Sequence, residues 1–399
     1  MYYRRTLEKM VRQASGYFKV VIITGPRQVG KTTLFRHIME PGRKYVSLDD
    51  AAALILARED PEGFFLKFPP PVLIDEVQKA PNLFGYIKHI GDESQDRGQI
   101  WLTGSQIFTL MENLADSLAG RVAVLNLQGF SMAEQDGDYE RPLFSPEISL
   151  DRKCKKLSKN EVFGRILRGG YPQLLDGTPR DLYFSSYLNT YIQRDVKNVV
   201  NVTKELSFIK FIKVLAARTG QVLNYNDISR DIEVSAPTVK SWVSVLATSG
   251  LIYLLPPFGG NLSQRSIKSP KCYFLDTGLC CYLCGLEDEN QVLNSSMSGA
   301  LFETFVVSEL LKSFWHHGKT PFFYFYRNSD NNQEVDLIIE QMGKVWPVEI
   351  KLSSTPDLKM ARHFKVLDKV ERGQGLIICT AGELMPLSKD VWVVPVGMI

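Results

Sequence analysis

The chain has 399 residues, of which 44% are hydrophobic and 23% charged, with a formal charge of +3. That composition excludes a disordered or fibrous chain, and the length points to two or three domains. Six cysteines are too few for a disulfide framework, no apolar run approaches membrane-spanning length, and the amino terminus lacks a signal-peptide core, so a cytoplasmic protein with no membrane partner is expected.

The first predicted elements lie in FKVVIITGPRQVGKTTLFRHIM: a strand over Val20–Thr24, a glycine-rich loop, then a helix. Gly25, Pro26, Arg27, Gln28, Val29, Gly30, Lys31 and Thr32 fit the spacing G-x-x-x-x-G-K-[ST], with Thr33 following. The glycines let backbone N–H groups curl around phosphates, and the helix turns its positive end toward them. Lys31 is suited to neutralise the β- and γ-phosphates and the Thr32 hydroxyl to hold Mg²⁺, so ATP and Mg²⁺ are the expected cofactors.

A second apolar run, residues 72–74, ends in Asp75 and Glu76. Asp75 is expected beside the Mg²⁺ and Glu76 beside the attacking water, and these separate tasks imply hydrolysis rather than mere binding. A third strand, GQIWLTGSQIF, ends in Thr103, Gly104 and Ser105: either groups that sense the γ-phosphate, with Ser105 on the nucleotide, or an ordinary strand end. Arg121 stands between a predicted helix and a strand, either as an arginine finger for a neighbouring subunit or as a surface arginine.

The segments GPRQVGKTTL, VLIDEVQKAP, LTGSQ and LAGRVAVLNL together resemble an AAA-type P-loop ATPase family of prokaryotes whose C-terminal half carries only the label of a domain of unknown function. The similarity extends to GGYP, YLNTYIQRDV and PKCYFLDTGL. The resemblance implies a homo-oligomer, a hexameric ring or a filament.

The expected divisions are an ATPase core over residues 1–135, a helical lid over 136–204, a winged helix-turn-helix over 205–270 and a last domain over 271–399. In the lid, Arg168 either reaches the nucleotide phosphates or caps its helix before Gly169. Between Lys197 and Lys271 ten Lys and Arg stand against four Asp and Glu, a weak pointer to nucleic acid. There a short helix is predicted to begin at Asn226 or Asp227, EVSAP makes a turn, and PTVKSWVSVLATSG forms a second helix with Val239, Trp242, Val243 and Leu246 inward. Ser235, Thr238, Lys240 and Ser241 then lie at the exposed start of a DNA-recognition helix, with Arg265, Lys268 and Lys271 as phosphate contacts. The same fold also serves as a pure protein-contact module. Cys281 and Cys284 form a C-x-x-C without a second pair at zinc spacing, which favours buried thiols.

In the last segment, SGALFETFVVSELLKSF reads as an amphipathic helix carrying Glu303, followed by FFYFYRN, EVDLIIE and PVEIKL as strands. A helix with Glu, a strand with Asp336 and a strand with Glu349 and Lys351 resemble the PD-(D/E)xK nuclease fold, with Val335 and Asp336 replacing its Pro-Asp pair. Asp336, Glu349, the Ile350 carbonyl and Glu303 offer hard oxygen ligands to Mg²⁺, and Lys351 a charge for water activation or for the transition state.

The fold class expected is thus α/β: an AAA-type core with a lid, a winged helix and a nuclease-like domain. The functional expectation is an ATP-dependent motor on duplex or branched DNA, such as recombination intermediates undergoing branch migration. The rival is a nucleotide-gated regulatory or defence switch whose last domain makes contacts without cleaving.

Overall fold

The computed structural model describes residues 2–105, 118, 120–149, 155–191, 205–259, 269–328 and 333–399. The chain divides into two compact units: residues 1–141 with 248–250 and 314–319, and residues 142–247 with 251–313 and 320–399.

The first unit is built on five strands: β1 (Val20–Thr24), β2 (Lys44–Ser47), β3 (Val72–Asp75), β4 (Ile100–Gly104) and β5 (Val122–Asn126), in the order β2-β3-β4-β1-β5. Every pairing is parallel. Residues of β1, β3 and β4 are all buried, which is why these strands open as continuous apolar runs (20–23, 72–74 and 100–102) rather than as an alternation. The apolar core on one sheet face gathers Ile22, Ile74 and Leu102 with Phe64, Leu83 and Ile87 from the covering helices. Because β4 lies between β1 and β3, its carboxyl end falls between the loop after β1 and the acids after β3.

In the second unit, helices Lys159–Arg168 and Arg180–Tyr191 precede a run of helix Glu205–Ala216, strand β6 (Gln221–Val222), helix Tyr225–Ile232, helix Ala236–Thr248, and strands β7 (Ile252–Leu255) and β8 (Lys271–Phe274). The three strands order as β6-β8-β7, antiparallel throughout. The short helix starts at Tyr225, ahead of the expected residue. Asn224 accepts from the N–H groups of Asn226 and Asp227, and this cap sets the start. Val239, Trp242, Val243 and Leu246 are buried.

A long helix, Ser298–His316, follows, then β9 (Phe323–Arg327), β10 (Glu334–Gln341), β11 (Lys344–Lys351), β12 (Gly375–Cys379), β13 (Met385–Ser388) and β14 (Val391–Pro395). These strands order as β13-β14-β12-β11-β10-β9. Strands β9, β10 and β11 are antiparallel neighbours, whereas β12 joins β11 in parallel. Met342 and Gly343, both at positive φ (53° and 75°), close the β10–β11 hairpin. The long helix departs from the amphipathic expectation, since Thr304, Val307, Ser308, Glu309 and Lys312 are buried as well as its apolar stripe. Glu309 and Lys312 pair at 2.7 Å within it.

The chain after β7 and the strands from β9 onward share one unit for a visible reason. The Phe258 N–H donates to the Phe325 carbonyl (2.6 Å), and the Phe325 N–H to the Pro256 carbonyl (3.1 Å), so the chain after β7 pairs with β9. No helix among the described residues is long and apolar enough to cross a membrane.

Candidate functional site

The loop after β1 is shaped by backbone that only small or special residues tolerate. Gly25 has φ of 142°, and a Cβ there would lie 2.0 Å from the Leu127 carbonyl oxygen. Gln28 (62°) and Gly30 (94°) also take positive φ, so the loop turns back on itself before the helix Lys31–Ile38 starts. Lys31 is buried, and its Nζ donates to the carbonyls of Gly25 (3.0 Å) and Pro26 (2.7 Å).

Opposite the loop, Asp75 gathers three hydroxyls. Thr32 Oγ1 donates to Asp75 Oδ1 at 2.7 Å, Thr103 Oγ1 donates to the same oxygen, and the Tyr45 hydroxyl reaches Oδ2 at 3.4 Å. Thr103, fully buried, also accepts from the Glu76 N–H at 3.2 Å. Glu76 takes φ of 58°, which swings its side chain off the strand line, where Oε2 accepts from Gln78 Nε2 and from Ser105 Oγ (3.3 Å). Loop, Thr32, Asp75, Glu76, Thr103 and Ser105 thus meet at one end of the sheet. Tyr45 and Gln78 were not foreseen. Gln78 carries a signal in its place two residues after the paired acids, but Tyr45 is brought in only by the pairing of β2 with β3.

These side chains fit a nucleoside triphosphate with a divalent cation. Thr32 and Asp75 are the hydroxyl and carboxylate that would share the cation, which supplies positive charge against the terminal phosphates when bound. Arg121 stands elsewhere. It precedes Val122, whose partner is Val20, so it lies at the end of the sheet away from the phosphate loop. There it pairs with Asp92, whose carboxyl it holds below the usual range.

In the second unit, Ser235, Thr238 and Lys240 surround the start of helix Ala236–Thr248. Ser235 Oγ lies 2.7 Å from Thr238 Oγ1 and accepts from the Thr238 N–H (3.3 Å), and Ser235, Lys240 and Ser241 are intermediate or exposed. Arg265 and Lys268 lie outside the described residues. Lys271 is corrected: only 2% exposed, it pairs with Glu303 Oε1 (3.1 Å) and Glu334 Oε1 (2.6 Å), so it cannot meet a nucleic-acid phosphate. Its neighbour Cys272 contributes to a set of buried thiols with Cys280 and Cys281. Arg168, at the end of its helix, is exposed, and the following turn is fixed by Asp276, which accepts from the Gly170 N–H at 2.8 Å.

The hairpin delivers Asp336 and Glu349 to facing positions, one step beyond the Leu337–Val348 pair. Lys351 Nζ bridges Asp336 Oδ2 (3.3 Å) and Glu349 Oε1 (2.8 Å), and the Ile350 N–H donates to Asp336 Oδ2 (2.9 Å). Glu349 Oε2 is buried and has no partner among the described residues. Burial, then the Asp336 carboxylate, push the Glu349 carboxyl up to about 7. Burial opposes the charge on Lys351, yet Asp336 and Glu349 raise its affinity for the proton.

Glu303 belongs to a neighbouring cluster. It accepts from the Tyr273 hydroxyl (2.6 Å) and pairs with Lys271. Among the described residues no group of three or more His, Cys, Asp or Glu is arranged to hold a metal ion. The expected three-carboxylate set is therefore reduced. Glu303 is committed to Lys271 and Tyr273, and Asp336 and Glu349 remain, with Glu349 Oε2 as the open donor that fits a hard cation.

Two mycobacterial relatives, the uncharacterized proteins Mb2031c of Mycobacterium bovis and Rv2008c of Mycobacterium tuberculosis, are each 26% identical to this chain over 99% of its length and 84% of theirs. Among solved structures, the Walker-type ATPase paby2304 of Pyrococcus abyssi covers 71% of this chain and 96% of its own at 14% identity and a TM-score of 0.44. The Thermotoga maritima RuvB Holliday junction branch migration motor covers 63% and 89% at 16% identity and 0.32. Residues 160–290 and 298–399 match two family models, each described as a domain of unknown function (DUF8612 and DUF4143). Residues 17–135 match the family model described as AAA domain, which with the parallel sheet and phosphate loop supports an AAA-type P-loop ATPase domain in the first segment.

Proposed function

We propose that the chain hydrolyses ATP and uses the cycle to bind and remodel DNA. The observation that carries this reading is the convergence of Thr32, Thr103 and Asp75, with Glu76 beside them, at the mouth of the phosphate loop. Lys31 exchanges the Gly25 and Pro26 carbonyls for phosphate oxygens, and backbone N–H groups of residues 28–32 surround them. Thr32 and Asp75 hold Mg²⁺. Glu76 takes up the proton of the attacking water, and Ser105 and Gln78 orient its carboxylate. Arg121 has no route to the nucleotide of its own chain, so a role as a finger requires a neighbouring copy in a homo-oligomer.

The DNA part of the proposal rests on the second unit. Helix, strand, two helices and an antiparallel pair of strands follow the order of a winged helix-turn-helix, and Ser235, Thr238 and Lys240 sit where such a helix meets a groove. The helix with Glu303, the three antiparallel strands and the parallel β12 fit a PD-(D/E)xK-like domain. ATP turnover measured with and without linear, single-stranded and four-way DNA at low salt tests the reading. Stimulation by at least one form is expected, and a rate that no DNA moves would defeat it.

One observation favours a second reading, in which the last domain makes contacts without cutting. Lys351 already spans both Asp336 and Glu349, and Lys271 already neutralises Glu303, so protein cations supply most of the compensation that the carboxylates require. Nicking in Mg²⁺ or Mn²⁺ that is abolished by Asp336→Ala supports cleavage. Wild-type protein that nicks no DNA supports the contact module.

A further inference from the structure

A buried arginine near the amino terminus touches the phosphate loop. Arg5 is 3% exposed, and its planar guanidinium serves three close acceptors at once, the Val29 carbonyl from Nη1 (3.0 Å), the Gln128 carbonyl from Nη2 (2.7 Å) and Glu134 Oε1 from Nε (3.1 Å), with the Gly129 carbonyl a longer fourth from Nη2 (3.4 Å). It also lies over the Phe130 ring, 4.1 Å from its centre. Val29 belongs to the phosphate loop. Gln128 follows Leu127, whose carbonyl is the atom that forbids a Cβ at residue 25. One side chain therefore ties the loop to the backbone packed behind it.

Two further buried groups hold Arg5. Burial works against a charge on Glu134, but Arg5, then His316, keep its carboxyl well below the usual range, and the N–H groups of Thr6 (2.9 Å) and Ser131 (2.9 Å) donate to it. His316, the last residue of its helix and 1% exposed, accepts from the Gln128 N–H at Nε2 (3.2 Å). A ring nitrogen that accepts carries no proton, so the hydrogen sits on Nδ1, which faces Glu134 Oε2 at 3.3 Å.

We infer that Arg5 is a positioning residue of the phosphate-binding loop, held in place by Glu134 and His316. The inference rests on the reading that this loop binds a nucleoside triphosphate. Loop N–H groups point at a phosphate when the intervening carbonyls turn away and find donors of their own. Arg5 gives the Val29 carbonyl a charged donor where water does not reach. Lys31 is bonded to two loop carbonyls and must give them up to reach phosphate oxygens, so the Arg5 tie keeps the loop's shape through that exchange. Arg5 bonds neither Asp75 nor Glu76. Its loss therefore weakens capture of the triphosphate and spares the hydrolytic step.

The test uses the full chain and its Arg5→Lys, His316→Gln and Lys31→Ala variants, with a fluorescent ATP analogue for affinity, steady-state ATP turnover, and circular dichroism for folding. A lysine keeps the charge beside Glu134 but cannot serve three acceptors in one plane. Arg5→Lys is expected to raise Kd and KM about tenfold, the size of one lost charge-assisted hydrogen bond, with kcat within about twofold. His316→Gln leaves the Arg5 and Glu134 pair in place and is expected to raise both about threefold. Unchanged Kd and KM in the two variants overturn the inference, and so does a fall in kcat at constant KM. If Arg5→Lys fails to fold, His316→Gln decides alone, and unchanged affinity there overturns it. Wild-type protein that binds the analogue no better than Lys31→Ala refutes the nucleotide reading itself, which is a distinguishable result.

Discussion

Replacing Glu349 with Gln changes how stability depends on pH, and the sign follows from the site. The carboxyl is pushed up to about 7 in the folded protein by burial and by Asp336, against an ordinary 4.5. Below pH 4.5 it is protonated both folded and unfolded, and it favours neither state. Between 4.5 and 7 the folded state binds the proton that the unfolded state has released, so stability falls as pH rises and the full penalty stands above 7. A shift of this size is worth about 3 kcal/mol, and roughly 2.5 kcal/mol of it develops between pH 5 and pH 8. Urea unfolding followed by tryptophan fluorescence is a suitable assay, since Trp346 lies in β11 and Trp392 in β14. The wild type is expected to lose about 2.5 kcal/mol more than Glu349→Gln over that range. Magnesium at pH 8 should restore part of the loss in the wild type and none in the variant. Parallel pH profiles would show that the carboxyl is not raised, and the burial argument for a cation site would go with them.

Thr103→Val keeps the shape of the side chain but strips Asp75 of a donor and the Glu76 N–H of its acceptor; turnover should fall roughly 10- to 100-fold with little change in KM, and a kcat equal to wild type would contradict the hydroxyl's place in the site. Lys271→Met leaves Glu303 and Glu334 without their shared cation, so the second unit should lose about 3–5 kcal/mol in urea unfolding, whereas a loss under about 0.5 kcal/mol would rule out a structural ion cluster. Lys240→Ala should weaken DNA binding evenly across sequences and reduce the salt dependence by about one phosphate contact; an unchanged slope would remove this helix from the DNA interface.

The legible parts of the sequence were those where local chemistry dictates geometry. The phosphate loop is legible because its glycines and Lys31 must occupy fixed steps between a strand and a helix. The β10–β11 hairpin is legible because Met342 and Gly343 interrupt two apolar runs. What stayed hidden depends on pairings that spacing does not encode. Lys271 sits in a basic stretch and reads as a DNA contact, yet the turn of β8 sends it inward to Glu303 and Glu334. Arg121 reads either as a finger for a neighbouring subunit or as a surface arginine, and only the parallel register shows that it lies beside the start of β1, where it pairs with Asp92. Arg5, Glu134 and His316 lie 129 and 182 residues apart in sequence, and only the folded chain brings them to one cluster. The long helix reads as amphipathic from its apolar positions 301, 302, 305, 306, 310, 311 and 314, but Thr304, Ser308, Glu309 and Lys312 are buried as well, the last two as a pair.

The central claim is that the cluster at the carboxyl end of β3 and β4 hydrolyses a nucleoside triphosphate. Glu76→Gln removes the base while leaving Lys31, Thr32 and Asp75 to hold the nucleotide, so ATP binding and ATP turnover measured on that variant and the wild type separate capture from chemistry. The account predicts binding within about twofold of wild type and turnover reduced by roughly 100-fold or more, the usual contribution of a general base. Turnover at the wild-type rate, or wild-type protein that turns over no ATP, would contradict it.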